Sequence, residues 1–191
     1  MDQYLKSTET IDWDHPSVLQ CAKDLATGFS NAVSVSQACY EWVRDRINHS
    51  GDCKATVTTC FASEVLKQRT GWCFAKSHLL AALLRANGIP AGICYQRLRY
   101  DEDSGFTLHG FNAAYLPEFG WYRMDARGNK SGVNAQFFPP EEKLAFLPEL
   151  DGEVTMPEIW PDPVPVVVQC LRNNSGWEKV VANLPDIDLI K

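Results

Sequence analysis

The sequence lacks a positive net charge, a long hydrophobic run and a spaced set of metal ligands. Its 18 lysines and arginines are outnumbered by 24 aspartates and glutamates, which gives a net charge of −6. Because a nucleic-acid-binding surface needs clustered Lys and Arg, we expect no nucleic-acid partner. No apolar run approaches the length of a membrane span, so we expect no membrane partner either.

The sequence also lacks the closely spaced cysteine pairs that bind zinc. The seven cysteines include no Cys-x-x-Cys pair, and the four histidines are not spaced with them as zinc ligands. The beginning of the chain lacks the apolar segment of a signal peptide, and an odd number of cysteines indicates reduced thiols, so we expect a cytoplasmic protein. The 191 residues are expected to form a single domain over 1–191, large enough to fold without disulfides or metal.

The apolar residues follow a helical period in the first part of the chain and an alternating period after it. Predicted helices cover residues 16–29, 34–47, 62–69 and 73–87, and predicted strands cover 91–100, 106–116 and 121–126. Short turns, at 101–105 and 117–120, join these strands into an antiparallel meander. Helices followed by an antiparallel sheet predict an α+β fold.

The remainder of the chain is punctuated by prolines from Pro139 to Pro165. A helix is predicted to start near Asp162-Pro163, and a strand stays an open alternative because the segment is rich in valine. Ser175 and Glu178 match a capping box before a last helix.

Gly71-Trp72-Cys73 is the stretch that bears most on chemistry. The glycine interrupts the preceding segment, and Cys73 starts a helix that ends at Asn87-Gly88 before Pro90. A cysteine in the first helical turn lies at the positive end of the helix dipole, which favours thiolate over thiol. Such a position can lower the pKa of a cysteine from about 8.5 to roughly 3.5–7.5. The alternative is that Cys73, like most free cysteines, is a small core residue.

A cysteine nucleophile needs a base, and the base needs an orienting group. His78 follows Cys73 by about 500° of helix rotation and therefore points some 140° away from it. His109, in the second predicted strand, is followed by a glycine that permits close approach, and Asp125 lies in the third strand. A loop that pairs Leu116 with Gly120 puts His109 and Asp125 on one face of the sheet, whereas a loop that is one residue shorter separates them.

Further polar residues near these positions carry weaker signals. The backbone N–H of Trp72 is a candidate second donor to an oxyanion, and its indole is a candidate wall of a substrate-binding cleft. Lys76 is expected to be solvated rather than a partner of the thiolate. We expect the loop residues Arg127, Asn129 and Lys130 to be solvated too, with binding of a substrate carboxylate as the alternative. Tyr95 and Gln96, on the preceding strand, are comparable candidates for binding a substrate.

Taken together, these stretches resemble the bacterial transglutaminase-like superfamily. The resemblance is carried by residues 62–66, 71–73, 81–91, 109–113 and 121–125, and by the order Cys, His, Asp. It covers roughly residues 35–130 and implies a papain-like α+β core, in which the cysteine helix packs on the antiparallel sheet. Residues 140–191 are then a C-terminal extension.

The resemblance also implies a reaction. Cys73 is the expected nucleophile, His109 the base and Asp125 the orienting acid of an acyl transfer from amide bonds through a thioester. This chemistry requires no metal or organic cofactor, and the expected substrate is a peptide, a protein or a small amide. Hydrolysis by a peptidase or amidase is the favoured outcome. Protein crosslinking by a transglutaminase and a non-catalytic peptide-binding module on the same fold are alternatives, and the oligomeric state is open.

Overall fold

Four α-helices precede the main antiparallel strands and two more follow the last strand in a computed structural model that describes residues 1–100 and 105–186. The α-helices are α1 (Pro16–Ala26), α2 (Ala32–Arg46), α3 (Ala62–Gln68), α4 (Cys73–Ala86), α5 (Pro165–Asn173) and α6 (Trp177–Val181). The strands are β1 (Asn48–His49), β2 (Thr70–Gly71), β3 (Ala91–Arg99), β4 (Phe106–Leu116), β5 (Gly120–Met124), β6 (Gln136–Phe138), β7 (Glu141–Lys143) and β8 (Val154–Thr155). The predicted α+β fold is therefore confirmed. In the predicted turn at 101–105, residues 101–104 lie outside the described residues.

Helix α4 is the centre of the core. Every residue from Cys73 to Arg85 is buried, as expected for a helix that is apolar nearly all the way round. Helices α1, α2 and α3 pack on one part of its surface, and β3 and β4 pack on another. The helix ends at Ala86 with Asn87 as its C-cap, and Gly88 follows with φ of +73°, so the predicted left-handed cap is confirmed. None of the described helices is long and apolar enough to cross a membrane.

The main sheet has the order β5-β4-β3-β8, and all its neighbouring strands are antiparallel. The predicted meander supplies three of these strands, while β8 comes from the C-terminal part of the chain. Leu116 pairs with Gly120, which is the register that places His109 and Asp125 on one face. The third strand ends at Met124 rather than at the predicted residue 126, because the Asp125 carboxylate accepts a hydrogen bond from the Arg127 N–H at 3.0 Å and turns the chain.

A glycine allows the sheet to approach the start of α4 closely. A Cβ atom on Gly110 would lie 2.8 Å from Cδ1 and 3.2 Å from Cα of Phe74. A larger residue would therefore force β4 away from α4. This close approach brings His109, the neighbour of Gly110, to the N-terminus of the cysteine helix.

A short parallel pair also leads to the start of α4. Asn48 pairs with Thr70, and His49 pairs with Gly71. The segment after α2 is thereby fixed beside the residues that precede Cys73. Sequence periodicity does not predict this pair, because two residues are too few to show an alternating pattern.

The C-terminal segment forms helices, which decides one open alternative and corrects one prediction. Residues Pro165–Asn173 are helical, so the strand alternative was wrong. The predicted capping box was also wrong, because Gly176 rather than Ser175 precedes α6 and no side chain caps this helix. The N–H groups of Gly176 and Trp177 bind Thr58 and Ala55 instead, so tertiary contacts fix the start of α6.

Candidate active site

Cys73 is the first residue of α4, and only 7% of it is exposed. Trp72 precedes it in an extended conformation, and the Trp72 carbonyl accepts the first helical hydrogen bond from the Lys76 N–H at 2.8 Å. The Ser77 hydroxyl donates to the Cys73 carbonyl at 2.8 Å. The backbone N–H of a first helical residue has no partner within its helix, so the N–H of Cys73 is available to a negative charge beside the sulfur.

His109 and Asp125 form a buried hydrogen-bonded pair. His109 Nε2 lies 2.7 Å from Asp125 Oδ2, and Asp125 is fully buried. Two backbone N–H groups complete the shell of the carboxylate: Arg127 donates to Oδ1 at 3.0 Å and Ala145 to Oδ2 at 3.1 Å. Since Nε2 is turned towards Asp125, Nδ1 is the ring nitrogen left for Cys73.

The charges in this pair support an imidazolium and a carboxylate. Burial lowers the pKa of His109, but the Asp125 carboxylate and the Cys73 sulfur outweigh it and raise the pKa to about 10. Burial raises the pKa of Asp125, and the charge of His109 with the hydrogen bonds from His109, Arg127 and Ala145 lowers it below its ordinary value. Cys73 is close enough to His109 to contribute to this raised pKa, so the three predicted residues influence one another electrostatically.

A strap formed by residues 144–147 covers the histidine. The Phe146 ring meets the His109 ring edge-on, with centroids 5.0 Å apart. Gln96 fixes the strap by donating to the Phe146 carbonyl at 3.2 Å and to Thr155 Oγ1 at 2.9 Å. Gln96 is therefore a support of the strap, and it does not line the cavity described next.

A cavity of about 760 Å³ opens beside Cys73 and His109. Its apolar lining comes from several separate parts of the chain: Trp72, Leu98, Leu108, Leu144, Phe146, Leu147, Trp177, Val181 and Leu184. The Trp72 indole lies in this wall, and its Nε1 has no hydrogen-bond partner in the described part of the chain. Tyr95, another sequence candidate, does not line the cavity; its hydroxyl accepts a hydrogen bond from the Val164 N–H at 3.1 Å.

The expectation that Lys76 is solvated was wrong. Its side chain is buried, with 1% exposure, and Nζ donates to the carbonyls of Ile47 at 2.5 Å and Arg44 at 3.3 Å. Burial lowers the pKa of this lysine to about 7. A lysine three residues after Cys73 points into the space that α2 closes, which a helical projection of α4 alone does not reveal.

Of the three loop residues expected to be solvated, Asn129 and Lys130 are exposed and Arg127 is buried. Arg127 is 8% exposed and binds the Asp52 carboxylate with both terminal nitrogens, at 2.5 and 3.0 Å. Lys130 binds the same carboxylate at 2.7 Å, while Asn129 exchanges two hydrogen bonds with Ala135. Solvation was therefore the wrong expectation for Arg127, since its long side chain folds back onto a partner 75 residues away.

His78 and the cysteines Cys39, Cys60, Cys94 and Cys170 are buried in the core. His78 is fully buried and its Nδ1 lies 2.7 Å from the Cys60 carbonyl, so its predicted direction away from Cys73 is confirmed. Burial raises the pKa of the buried thiols, to about 12 for Cys39, Cys60 and Cys94 and to about 11 for Cys170. Within residues 1–100 and 105–186, no group of three or more His, Cys, Asp or Glu residues is placed to hold a metal ion.

Sequence reasoning missed three contributors to this site. His49 and Asp52 line the cavity, although the sequence marks them only as part of a polar turn. Ala145 acts through its backbone, for which no residue type gives a signal. The sequence would have placed His49 near Cys73 only if the parallel pairing of His49 with Gly71 had been predicted.

Comparisons with known proteins agree with this fold. A family model described as the transglutaminase-like superfamily matches residues 20–126. No curated protein matches the chain in sequence. A candidate cysteine protease from Cytophaga hutchinsonii has a similar structure, with a TM-score of 0.53 at 22% identity, over 65% of this chain and 40% of that one.

Two further solved structures align at lower scores. The periplasmic domain of TgpA from Pseudomonas aeruginosa aligns with a TM-score of 0.49 at 19% identity, over 64% of this chain and 45% of that one. Red sea bream transglutaminase aligns with a TM-score of 0.48 at 12% identity, over 66% of this chain and 32% of that one. The chain therefore spans less than half the length of these three proteins.

Proposed function

The chain belongs to the transglutaminase-like superfamily, and on this premise we propose that it is a cysteine-dependent enzyme that hydrolyses amide bonds through a thioester. The observation that carries the proposal is the buried pair of His109 and Asp125, 2.7 Å apart, whose histidine lines the same cavity as Cys73. Asp125 is held by two backbone N–H groups, so the imidazole is oriented before any substrate binds.

The first half of the proposed reaction acylates Cys73. Its thiolate attacks the amide carbonyl carbon, and the carbonyl oxygen becomes an oxyanion beside the N–H of Cys73. The imidazolium of His109 then protonates the amide nitrogen, and the C–N bond breaks. The amine leaves, and the acyl group remains on sulfur as a thioester.

The second half returns the enzyme to its starting state. Water attacks the thioester carbon and gives a proton to His109, and the electron pair of the broken C–S bond returns to sulfur. Asp125 stabilises the imidazolium in both halves and fixes Nε2 as the nitrogen that faces away from Cys73.

Hydrolysis is proposed over crosslinking because of what lines the cavity. Charged side chains of Asp52, Arg127, Lys130 and Glu142 share the lining with the apolar wall. Polar groups of this kind retain water near the thioester, whereas a crosslinking enzyme must keep water away from it. Trp72 is proposed to form part of the wall that holds the substrate.

The test is a set of peptide 4-nitroanilides offered to four proteins, with and without methylamine. We expect wild type and Cys53→Ala, which removes an exposed cysteine, to release 4-nitroaniline at similar rates. Cys73→Ala and His109→Gln should lose at least about 1000-fold in turnover. Mass spectrometry of the products assigns the acceptor, because hydrolysis leaves a carboxylate and transamidation leaves a methylamide.

Alkylation provides a second readout that needs no substrate. Iodoacetamide at pH 6 should label Cys73 faster than Cys53, although Cys53 is exposed and Cys73 is buried. His109→Gln should remove this difference. Labelling of Cys53 at least as fast as Cys73 in wild type would contradict the proposed nucleophile and favour a binding module on the same fold.

A further inference from the structure

His49 is a second histidine in the cavity, and the reaction proposed above does not use it. The pairing of β1 with β2 places His49 opposite Gly71, which is two residues before Cys73. Its side chain is 8% exposed and lines the same cavity as Cys73 and His109. The Trp72 ring meets the imidazole edge-on, with centroids 5.2 Å apart, so the orientation of His49 is fixed by packing.

The two ring nitrogens of His49 have different surroundings. Nδ1 lies 3.8 Å from Oδ2 of Asp52, and it is buried without a hydrogen-bond partner among residues 1–100 and 105–186. Since Nδ1 is turned towards Asp52, Nε2 is the nitrogen left to face the cavity. Asp52 is itself held in place by Arg127 and Lys130.

The protonation of His49 follows from these neighbours. Burial, and then the positive charge of Arg127, hold its pKa well below the ordinary range, so the ring is neutral. A neutral imidazole has one N–H, and the Asp52 carboxylate favours that hydrogen on Nδ1. Nε2 then offers a lone pair to the cavity and acts as a hydrogen-bond acceptor.

We propose that His49 is a further catalytic residue, which positions the incoming nucleophile by accepting a hydrogen bond from it at Nε2. The inference rests on the proposed thioester mechanism and concerns its second half. Water and a primary amine each carry two hydrogens on the attacking atom. One of these hydrogens goes as a proton to His109, and the other is held by His49, which gains and loses no proton.

The bonds formed and broken are those of the second half of the proposed reaction. The nucleophile forms a bond to the acyl carbon, the C–S bond breaks with its electron pair on sulfur, and His109 receives the proton. With two acceptors, His49 and His109 fix both the place and the direction of the attacking lone pair. A neutral His49 suits this role, because a charged imidazolium has no free lone pair.

The experiment uses 4-nitrophenyl acetate, which separates the two halves as a burst of 4-nitrophenolate and a slower steady rate. His49→Phe keeps a ring against Trp72 and removes the acceptor, whereas His49→Gln keeps an acceptor oxygen. We expect the burst of both variants to stay within about threefold of wild type. The steady rate of His49→Phe should fall roughly 10- to 100-fold, with partial recovery in His49→Gln. His15→Ala, a histidine change outside the cavity lining, is the control.

A comparison of two amine acceptors tests the geometry itself. Methylamine has two N–H hydrogens and dimethylamine has one, so only methylamine can use His49 and His109 together. The ratio of their aminolysis rates should fall roughly threefold to tenfold in His49→Phe. A purely structural effect of the substitution would slow both amines alike and leave this ratio unchanged.

The outcomes separate this inference from the proposed function. Wild type that forms no acetyl group on Cys73 would overturn the thioester mechanism and this inference with it. A normal burst with an unchanged steady rate in His49→Phe would overturn the role of His49 alone. A burst that slows as much as the steady rate would overturn it too, because His49 would then be a donor to the oxyanion.

Discussion

Asp125→Asn perturbs the pair on which the proposed chemistry depends. The carboxylate accepts three hydrogen bonds, from His109 Nε2 and from the N–H groups of Arg127 and Ala145. An asparagine amide has one oxygen and one NH₂ group, so it can accept at one end only. Its NH₂ group must replace either Oδ1, which faces the Arg127 N–H, or Oδ2, which faces both His109 and the Ala145 N–H. Either orientation leaves at least one buried backbone donor without an acceptor.

The expected loss of stability is large because Asp125 is fully buried. Removing one partner of a buried ion pair lowers the free energy of unfolding by about 3–5 kcal/mol. Asparagine keeps the shape of the side chain and one acceptor, so we expect a loss near the lower end, about 3 kcal/mol at pH 6.

The loss should depend on pH with a defined sign. Folded His109 keeps its proton up to a pKa of about 10, whereas an unfolded histidine titrates near about 6.5. The stability from this shift is fully present below about pH 6.5 and is lost as the pH rises towards about 10. The pKa of Asp125 is lowered in the folded state, so the contribution of Asp125 to stability is present above about pH 4. That contribution is lost as the pH falls through the folded-state pKa. The difference between wild type and variant is therefore largest between about pH 4 and pH 6.5.

Urea unfolding followed by tryptophan fluorescence at pH 6 and pH 9 measures this difference. The loss at pH 9 should be smaller than the loss at pH 6 by at least about 1 kcal/mol. Asp45→Asn is the matched control, because Asp45 is half exposed and its bidentate pair with Arg44 should contribute no more than about 1 kcal/mol. Equal losses at both pH values, or a loss no greater than that of Asp45→Asn, would refute an ionised pair of His109 and Asp125.

Two further predictions concern residues that place the site. Gly110→Ala should lower the free energy of unfolding by about 1–3 kcal/mol, since the new Cβ meets Phe74 at 2.8 Å; thermal unfolding measures this. The free energy of unfolding of Lys76→Met should rise by at least about 2 kcal/mol relative to that of wild type when the pH falls from about 10 to 7. Buried Lys76 has a pKa of about 7, so unfolded wild type binds a proton over this range that the folded protein does not; urea unfolding at both pH values checks the sign.

The sequence predicted the parts of the site that local rules govern. The glycine before Cys73 and the Asn87-Gly88 cap define α4, because backbone conformation near glycine is a short-range property. The relation of His109 to Asp125 followed from strand parity once the loop length was chosen. The choice between two loops was open, and the structure decides it by pairing Leu116 with Gly120.

Long-range contacts are what the sequence could not predict. Lys76 and Arg127 are charged residues in positions where solvation is the usual outcome, and each is buried by a partner far along the chain. The sequence does not indicate the backbone donor at Ala145 either, since any residue except proline carries an N–H. The start of α6 was misplaced for a related reason, because contacts with Thr58 and Ala55 override the local capping signal.

The division of the site between two parts of the chain bears on its specificity. Residues 20–126, which match the family, supply Cys73, His109 and Asp125. The strap at 144–147 and the wall formed by Trp177, Val181 and Leu184 lie after the matched region. The same later segment gives Asp125 its second backbone donor through Ala145. Because Trp72, Leu98 and Leu108 of the matched region form the rest of the apolar wall, the later segment completes the cavity rather than building it alone. On the proposed function, we therefore expect residues on both sides of position 126 to select the acyl group.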